Sequence, residues 1–313
     1  MNKIILSYII TTKNKLPFLT YSLNRLIANI CSDEEIVVID GDSTDGSKPF
    51  LAGLLREGKI HQFISEPDCC EAHGLNKGIL LAKGELIKII TDDDSFNYLA
   101  IHECKKFMVE HRNIDVIIGN VINTSIDNVN KIEYEKQTEN DYQKWLSTGK
   151  CFPFTGLSLM IRKQSIALTG LFSCYTFYLD TEYSLRITSM ANIKIAWSNA
   201  ILVCRIENTN STLLTSGIEK QLSDVDRFLY LFDSHYRMKK NKIIFIAISS
   251  FKSKLKRIMK GIVNNWKSYF PSYMVEDTTR ANIDISNKSI SEANKKCEEF
   301  ISRNDKTNSI ISP

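Results

Sequence analysis

The chain opens with a run from Ile4 to Ile10, IILSYII, that carries no charge and is rich in β-branched residues, so it predicts a short buried strand. A polar turn, Thr11 to Lys15, follows. Leu16, Leu19, Leu23, Leu26, Ile27 and Ile30 then recur at helical spacing, with Pro17 at an early position where its missing N–H does no harm. The alternation repeats. Strands are predicted at Ile36–Asp40, Ile60–Ile64 and Leu86–Thr91, and helices at Lys48–Glu57 and His73–Ala82, with a polar loop at Gly41–Ser47. Strands and helices alternating through short joints predict an α/β fold: a mostly parallel sheet flanked by helices on both faces. In such sheets ligands bind beyond the carboxyl ends of the strands. This chain places Thr11, Asp40 and the run Asp92, Asp93, Asp94 there.

After Asp94 the pattern loosens. A helix is predicted at Tyr98–His111, a strand at Val116–Val121 and a polar excursion at Asp127–Thr148. Phe152–Arg162 reads as a turn into a strand, Tyr183–Met190 as a helix, and Ile193–Trp197 and Ile201–Ile206 as two short strands. Two regions result: a domain over residues 1–222, and a basic, mainly helical C-terminal extension over 223–313 that ends in a polar tail, frayed from Asp305.

Composition narrows the class without changing the fold. Of 313 residues 43% are hydrophobic and 24% charged, values of a globular protein rather than a disordered or collagen-like one. No apolar run approaches the roughly 18–20 residues that span a bilayer, and no signal peptide precedes the first strand, so a cytoplasmic location is expected. Eight cysteines, at 31, 69, 70, 104, 151, 174, 204 and 297, form no CxxC pair, which predicts reduced thiols rather than a zinc site or disulfide framework. The formal charge of +4 is unevenly spread: Ser234–Val275 holds ten basic residues and no acidic one, leaving a net of −6 elsewhere. Nucleic-acid binding by the body is therefore not expected. From Phe251 to Phe270 apolar residues recur at helical spacing among lysines, which suits either an anionic membrane surface, reached through residues 243–270, or packing on the body with the lysines in water.

Three consecutive carboxylates after a buried strand repel one another and are tolerated only in water or around a cation. All-oxygen ligands suit Mn2+ or Mg2+, ions that usually also grip substrate phosphates. The competing reading is an acidic cap, with Asp94 or Ser95 starting the next helix.

Four segments in order bear on that choice: IILSYIITTKN, EEIVVIDGDSTDGS, SEPDCCEAHGLNKGILLAKGELIKIITDDD and GLSLMIRKQSIALTGLFSCYTFYLDTEYSLRI. Together they resemble the inverting GT-A glycosyltransferases of family 2, over about residues 4 to 206. The resemblance implies a Rossmann-like GT-A fold and a metal-dependent hexosyltransferase. Its donor would be a nucleoside-diphosphate sugar, UDP-linked by preference, and its acceptor hydroxyl would belong to a glycan or lipid-linked acceptor in surface polysaccharide assembly. It places Thr11 and Asp40 at the base, Asn14 and Asp42 in the adjoining donor-binding loops, and Glu71, Asn76 and Lys77 where family members contact the donor or brace the nucleotide. The acidic run matches the DXD motif, with Asp92 and Asp93 on the donor and Asp92, Asp94 and Glu207 as the metal set. Asp180 matches the family's general base, with Glu182 in reserve. Asp180 also reads as an N-cap of a helix starting at Thr181. Four positions depart from the family: Asp42 for glycine, Thr91 for the first aspartate of the motif, Leu179 for the glutamate before the base, and Glu207 for a histidine. The last two leave a second reading, a nucleotide-sugar-binding module without transfer activity. A nucleotidyltransferase fits less well, because TTKNKLPF lacks the glycines of its phosphate loop.

Overall fold

Strand β1 (Leu6–Thr12) forms from the opening apolar run and sits at the centre of a parallel core, bonded to β2 (Glu34–Asp40) on one side and β4 (Leu86–Ile90) on the other. Strand β3 (Gln62–Ser65) extends the sheet beyond β2. Residues 3–176, 178–207, 218–232, 287–304 and 309–313 are described by this computed structural model. The order across the sheet is β10-β9-β6-β8-β4-β1-β2-β3, where β6 is Val116–Ser125, β8 is Met160–Arg162, β9 is Ile195–Glu207 and β10 is Ile310–Ile311. Strand β8 runs antiparallel between β4 and β6, and β6 pairs with β9 in parallel. Six of these eight strands therefore share one direction, and their carboxyl ends share one rim. The short β5 (Ser95–Phe96) pairs with β9, and β7 (Asn128–Tyr134) with β6.

Helices cover both faces because the strands are apolar on both. Leu19, Leu23 and Leu26 of α1 (Leu16–Asn29), Leu51 and Leu54 of α2 (Ser47–Arg56), and Ile101, Cys104 and Met108 of α4 (Tyr98–Glu110) bury against one face. Leu75 and Ile79 of α3 (Glu71–Leu81), Tyr142 of α5 (Lys136–Thr148), and Tyr183 and Ile187 of α7 (Leu179–Thr188) bury against the other. A one-turn helix α6 (Ile166–Thr169) follows β8. The first half of the chain thus adopts the predicted α/β order.

The second half differs from expectation in four places. The excursion at 127–148 is ordered as β7 and α5, whose buried Tyr142 donates a hydrogen bond to the Ile195 carbonyl. Ile193–Trp197 and Ile201–Ile206 belong to one strand, β9: the polar Ser198–Asn199 step is taken up as an irregularity opposite Gly119 and Asn120, and Asn120 Nδ2 bonds the Asn199 carbonyl. The tail is not wholly frayed, since Ile310 and Ile311 pair with Ser198 and Trp197. Cys204 of β9 and Cys297 of α9 (Asn287–Asn304) form a disulfide, which corrects the expectation that every thiol is reduced. Nothing in a separation of 93 residues announces that pairing, because it depends on α9 returning to the sheet.

That return also bears on the expected division of the chain. A boundary at residue 222 falls inside α8 (Ile218–Phe232), and α9 packs Ala293, Cys297 and Ile301 against Ile122, Ile201 and Ile206 of the sheet. Residues 243–270, with their expected membrane contact, lie outside the described residues. Among the described residues no helix is long and apolar enough to cross a membrane.

Candidate active site

The rim brings together the ends of β1, β2 and β4. Beyond β4 the chain turns at Asp92 and Asp93 before pairing again as β5, so the three aspartates leave a buried strand with nowhere to spread. Asp92 and Asp94 are both buried. The Thr12 hydroxyl donates to Asp92 Oδ2 at 2.7 Å, and Lys15 Nζ reaches Asp92 Oδ1 at 3.3 Å and Asp93 Oδ2 at 2.8 Å. The Thr91 hydroxyl and the Ile206 N–H, at 2.5 and 2.8 Å, donate to the two oxygens of Asp94. Burial, and then repulsion from Asp93, push the Asp94 carboxyl above its usual range. Burial also raises Asp92, against the pull of Lys15. Lys15 is held above the ordinary lysine range: burial opposes its charge, but Asp92 and Asp93 outweigh that opposition. The capping alternative is settled by α4, whose N-cap is Asn97, its side chain accepting from the Ala100 N–H. The acidic run therefore caps no helix.

Asp180 faces the same cleft from α7. The helix begins at Leu179, after Tyr178 at the N-cap, so Asp180 lies inside the first turn and is not the cap. Its Oδ2 accepts from the Thr155 hydroxyl at 3.2 Å, and the Gly156 N–H adds a second bond. A Cβ at Gly156 would lie 2.5 Å from Asp180 Oδ1, so only glycine admits the carboxylate this closely. Burial raises the Asp180 pKa, opposed by those two bonds and by Arg205 and Lys88. Glu71, at the start of α3, completes the ring. Protein surrounds it without covering it, since the cleft is open, and its carboxyl is pushed up to about 7 by burial and by Asp180, against Lys15.

Lys88 was not foreseen. On β4 it is fully buried, its ammonium bonded to the Leu157 carbonyl and lying 5.1 Å from the centroid of the Phe96 ring. Burial drives its pKa down to about 7, against the attraction of Cys104, Asp180 and Asp94. A lysine within the apolar LIKII is the signal that sequence reading could have used. Lys15 is the other missed residue; its signal was a basic side chain in the turn directly after β1.

The loops after β1 and β2 meet beside α3. Asp40 is fully buried; its Oδ2 accepts from the Ser43 N–H at 3.0 Å and the Ser65 hydroxyl at 2.6 Å, while Oδ1 has no hydrogen-bond partner among the described residues. Thr11 packs beside Gly74 of α3, and Asp68 lies over Gly41 and Gly74, where a Cβ on Gly41 would come within 2.7 Å of Asp68 Oδ2. Asn14 and Asp42 adopt left-handed backbone conformations with φ of 54° and 67°. Asn14 Oδ1 accepts from the Thr44 N–H, stitching the two loops together, and Asp42 pairs with Lys48.

Several residues expected at the donor also brace the surrounding loops. Asn76 holds Phe172 through both backbone groups, at 2.8 and 2.9 Å, and Lys77 bridges Glu66 at 2.8 Å. Glu182, the reserve base, instead grips Arg186 with both oxygens, at 2.8 and 3.0 Å; Arg186 in turn ties down the Thr169 and Leu171 carbonyls. Glu207 lies at the end of β9 with Arg205 at 2.5 Å. Among the described residues, no three carboxylates of Asp92, Asp93, Asp94 and Glu207 bring ligand atoms within 4.8 Å of one another. A hard cation still fits, because Mg2+ and Mn2+ sites commonly use one or two carboxylates and take the rest from phosphate and water. Three adjacent carboxylates, two of them buried, share one close ammonium, that of Lys15, and this excess of negative charge is the feature of the cleft that suits such an ion.

A model of the family described as Glycosyl transferase family 2 matches residues 7–167. Among curated proteins, the glycosyltransferase GlyG of Streptococcus pneumoniae is 27% identical over 120 residues, 38% of this chain and 40% of that protein. A PGL/p-HBAD biosynthesis glycosyltransferase of Mycobacterium bovis is 29% identical over 119 residues, 37% of this chain and 46% of its own. The chain thus spans less than half the length of these relatives. Among solved structures, S. aureus TarS 1-349 superposes with a TM-score of 0.51 at 14% identity, covering 96% of this chain and 92% of that one. TarS 1-349 in complex with UDP-GlcNAc gives 0.51 at 12% identity with equal coverage. At such identities the likeness is one of fold.

Proposed function

Since the chain belongs to glycosyl transferase family 2, we propose that it transfers a sugar from a nucleoside diphosphate to an acceptor hydroxyl, with inversion at the anomeric carbon. The observation that carries this reading is the lodging of Asp180 against Gly156, facing Glu71 and the aspartates beyond β4. Inverting transfer needs one base on the acceptor side and stabilisation of charge on the leaving side. Asp180 takes the proton of the acceptor hydroxyl as its oxygen attacks the anomeric carbon. The bond from that carbon to the diphosphate breaks, and the nucleotide leaves with the electron pair. The raised Asp180 pKa suits a base, because a carboxylate at its ordinary value would hold the proton weakly.

Asp92 and Asp93 or Asp94 would hold Mn2+ or Mg2+, which when bound neutralises the departing diphosphate. Glu207 enters that set only if it leaves Arg205. A UDP-linked donor is the favoured reading: Asp40, with one oxygen unpartnered among the described residues at the end of β2, is suited to accept a uracil N3–H, and a guanine N1–H would serve equally. The acceptor is a glycan or lipid-linked hydroxyl.

Release of UDP from a panel of UDP-sugars with Mn2+ tests the proposal. Asp180→Asn should lower turnover by about 10²–10⁴-fold while UDP still protects against thermal unfolding. Equal inactivity of wild type and variant with every donor would favour the binding module that Leu179 and Glu207 suggest.

A further inference from the structure

Three of the cysteines converge. Cys69 and Cys70 lie in the loop between β3 and α3, and Cys174 lies in the segment between α6 and α7. Their sulfurs all fall within 4.8 Å of one another, and Cys69 Sγ is 3.9 Å from Cys70 Sγ. Four sulfurs around a tetrahedral ion at about 2.3 Å stand about 3.8 Å apart, so the Cys69–Cys70 edge already has that length and the third sulfur needs only a small approach. The loops that carry them are held in register by other bonds. Asn76 clasps both backbone groups of Phe172 at 2.8 and 2.9 Å, and its Nδ2 lies 3.8 Å from Cys174 Sγ. Cys70 is the N-cap residue of α3, in extended conformation. All three thiols are free and reach the surface, so an ion has a path to them.

We propose that Cys69, Cys70 and Cys174 form a thiolate site for a soft divalent cation of the Zn2+ class, clamping the loop before α3 to the segment that leads into Asp180. Each thiol gives up its proton on binding, so the ion exchanges for three protons and the cluster carries one net negative charge. Thiolates select Zn2+ over Mg2+ or Mn2+, which keeps this site chemically apart from the oxygen donors beyond β4. The fourth position falls to water: His73 is adjacent, but its Nδ1 accepts from the Cys69 N–H at 3.3 Å. The other group of three potential ligands, Cys31, Glu34 and His102, is already served by a cation, with Lys105 Nζ 2.7 Å from Glu34 Oε1. The clamp stands whether or not the chain transfers sugar, since it rests on no residue of the catalytic proposal.

Co2+ titration of the full chain, reduced with a phosphine and freed of metal, tests the site. One equivalent should produce the thiolate-to-cobalt charge-transfer band and the strong visible bands of a tetrahedral site, and one equivalent of Zn2+ should bleach them. Cys174→Ser should weaken Co2+ binding by more than about 100-fold, since even outer-shell partners are worth about 10–100-fold. Cys31→Ser and Asp93→Asn should leave the bands unchanged. Should Cys174→Ser fail to fold, Cys69→Ser carries the same expectation. Absence of a charge-transfer band at stoichiometric Co2+, or a band that survives both substitutions, would overturn the proposal.

Discussion

Asp180 and Lys88 show how single residues divide the work of this cleft. Glycine is the only residue type at 156 that leaves Asp180 where it is, because any Cβ intrudes on its carboxylate. Gly156→Ala should therefore cut turnover by about 10–100-fold, as small misplacements of reacting groups do, while the melting temperature changes little. A matched loss of stability would instead mark Gly156 as a packing residue. Lys88 has the opposite balance. Unfolded, it binds its proton up to the ordinary lysine value; folded, it releases it near 7. Between those values the unfolded chain holds more protons, so Lys88 makes stability rise with pH from about 7 to about 10 and costs most below 7. Lys88→Met should flatten that rise, since the group that binds the extra proton in the unfolded chain is gone. Urea unfolding at pH 7 and pH 9.5 measures the slope, and a variant whose stability rises with pH as steeply as the wild type would refute the account.

The elements are joined at the site by some of the side chains expected to meet the donor. Asn76, Lys77 and Asn14 each tie one loop or helix to another, so their substitution also acts through geometry. Asn76→Ala leaves the Phe172 N–H and carbonyl without their partner and should cost about 1–3 kcal/mol, read as a lower urea midpoint. The strand β9 and helix α9 are joined covalently. Cutting the Cys204–Cys297 link by Cys297→Ser should cost about 2–5 kcal/mol, the usual loss when a native disulfide is removed. Reductant should lower the wild-type midpoint by the same amount and leave the variant unmoved. Equal midpoints for the wild type with and without reductant would argue against the bond.

At the scale of the whole molecule, the chain end completes the sheet rather than trailing from it. Helix α9 covers Ile122, Ile201 and Ile206 and places Glu298 2.7 Å from Arg25 of α1, while β10 borders β9. A chain stopped at residue 286 exposes that cluster and should aggregate or melt at least several degrees lower, so removing residues 234–313 makes a poor test of membrane contact. Charge substitutions confined to 243–270, followed by vesicle flotation, address that contact without touching α9. The proposed donor site is also a property of the assembled rim. Mn2+ with UDP should raise the melting temperature more than either alone, because each brings charge that the other offsets, and Asp92→Asn should abolish that synergy.

The α/β order, the strands β1 to β4, the rim at their carboxyl ends and the acidic run beyond β4 were legible in the sequence. Each rests on local periodicity or on like charges placed side by side, and these are properties of neighbours along the chain. The roles of the side chains were not. Whether Asp94 caps a helix or faces a cleft, whether Glu182 meets a substrate or Arg186, and whether Ser198–Asn199 ends a strand or kinks one depended on partners tens of residues away. The same holds for the cysteines at 69, 70 and 174, at 204 and 297, and for the tail at Ile310–Ile311. Only folding sets those distances, and a carboxylate, amide or thiol takes its chemistry from whatever stands within a few ångströms of it.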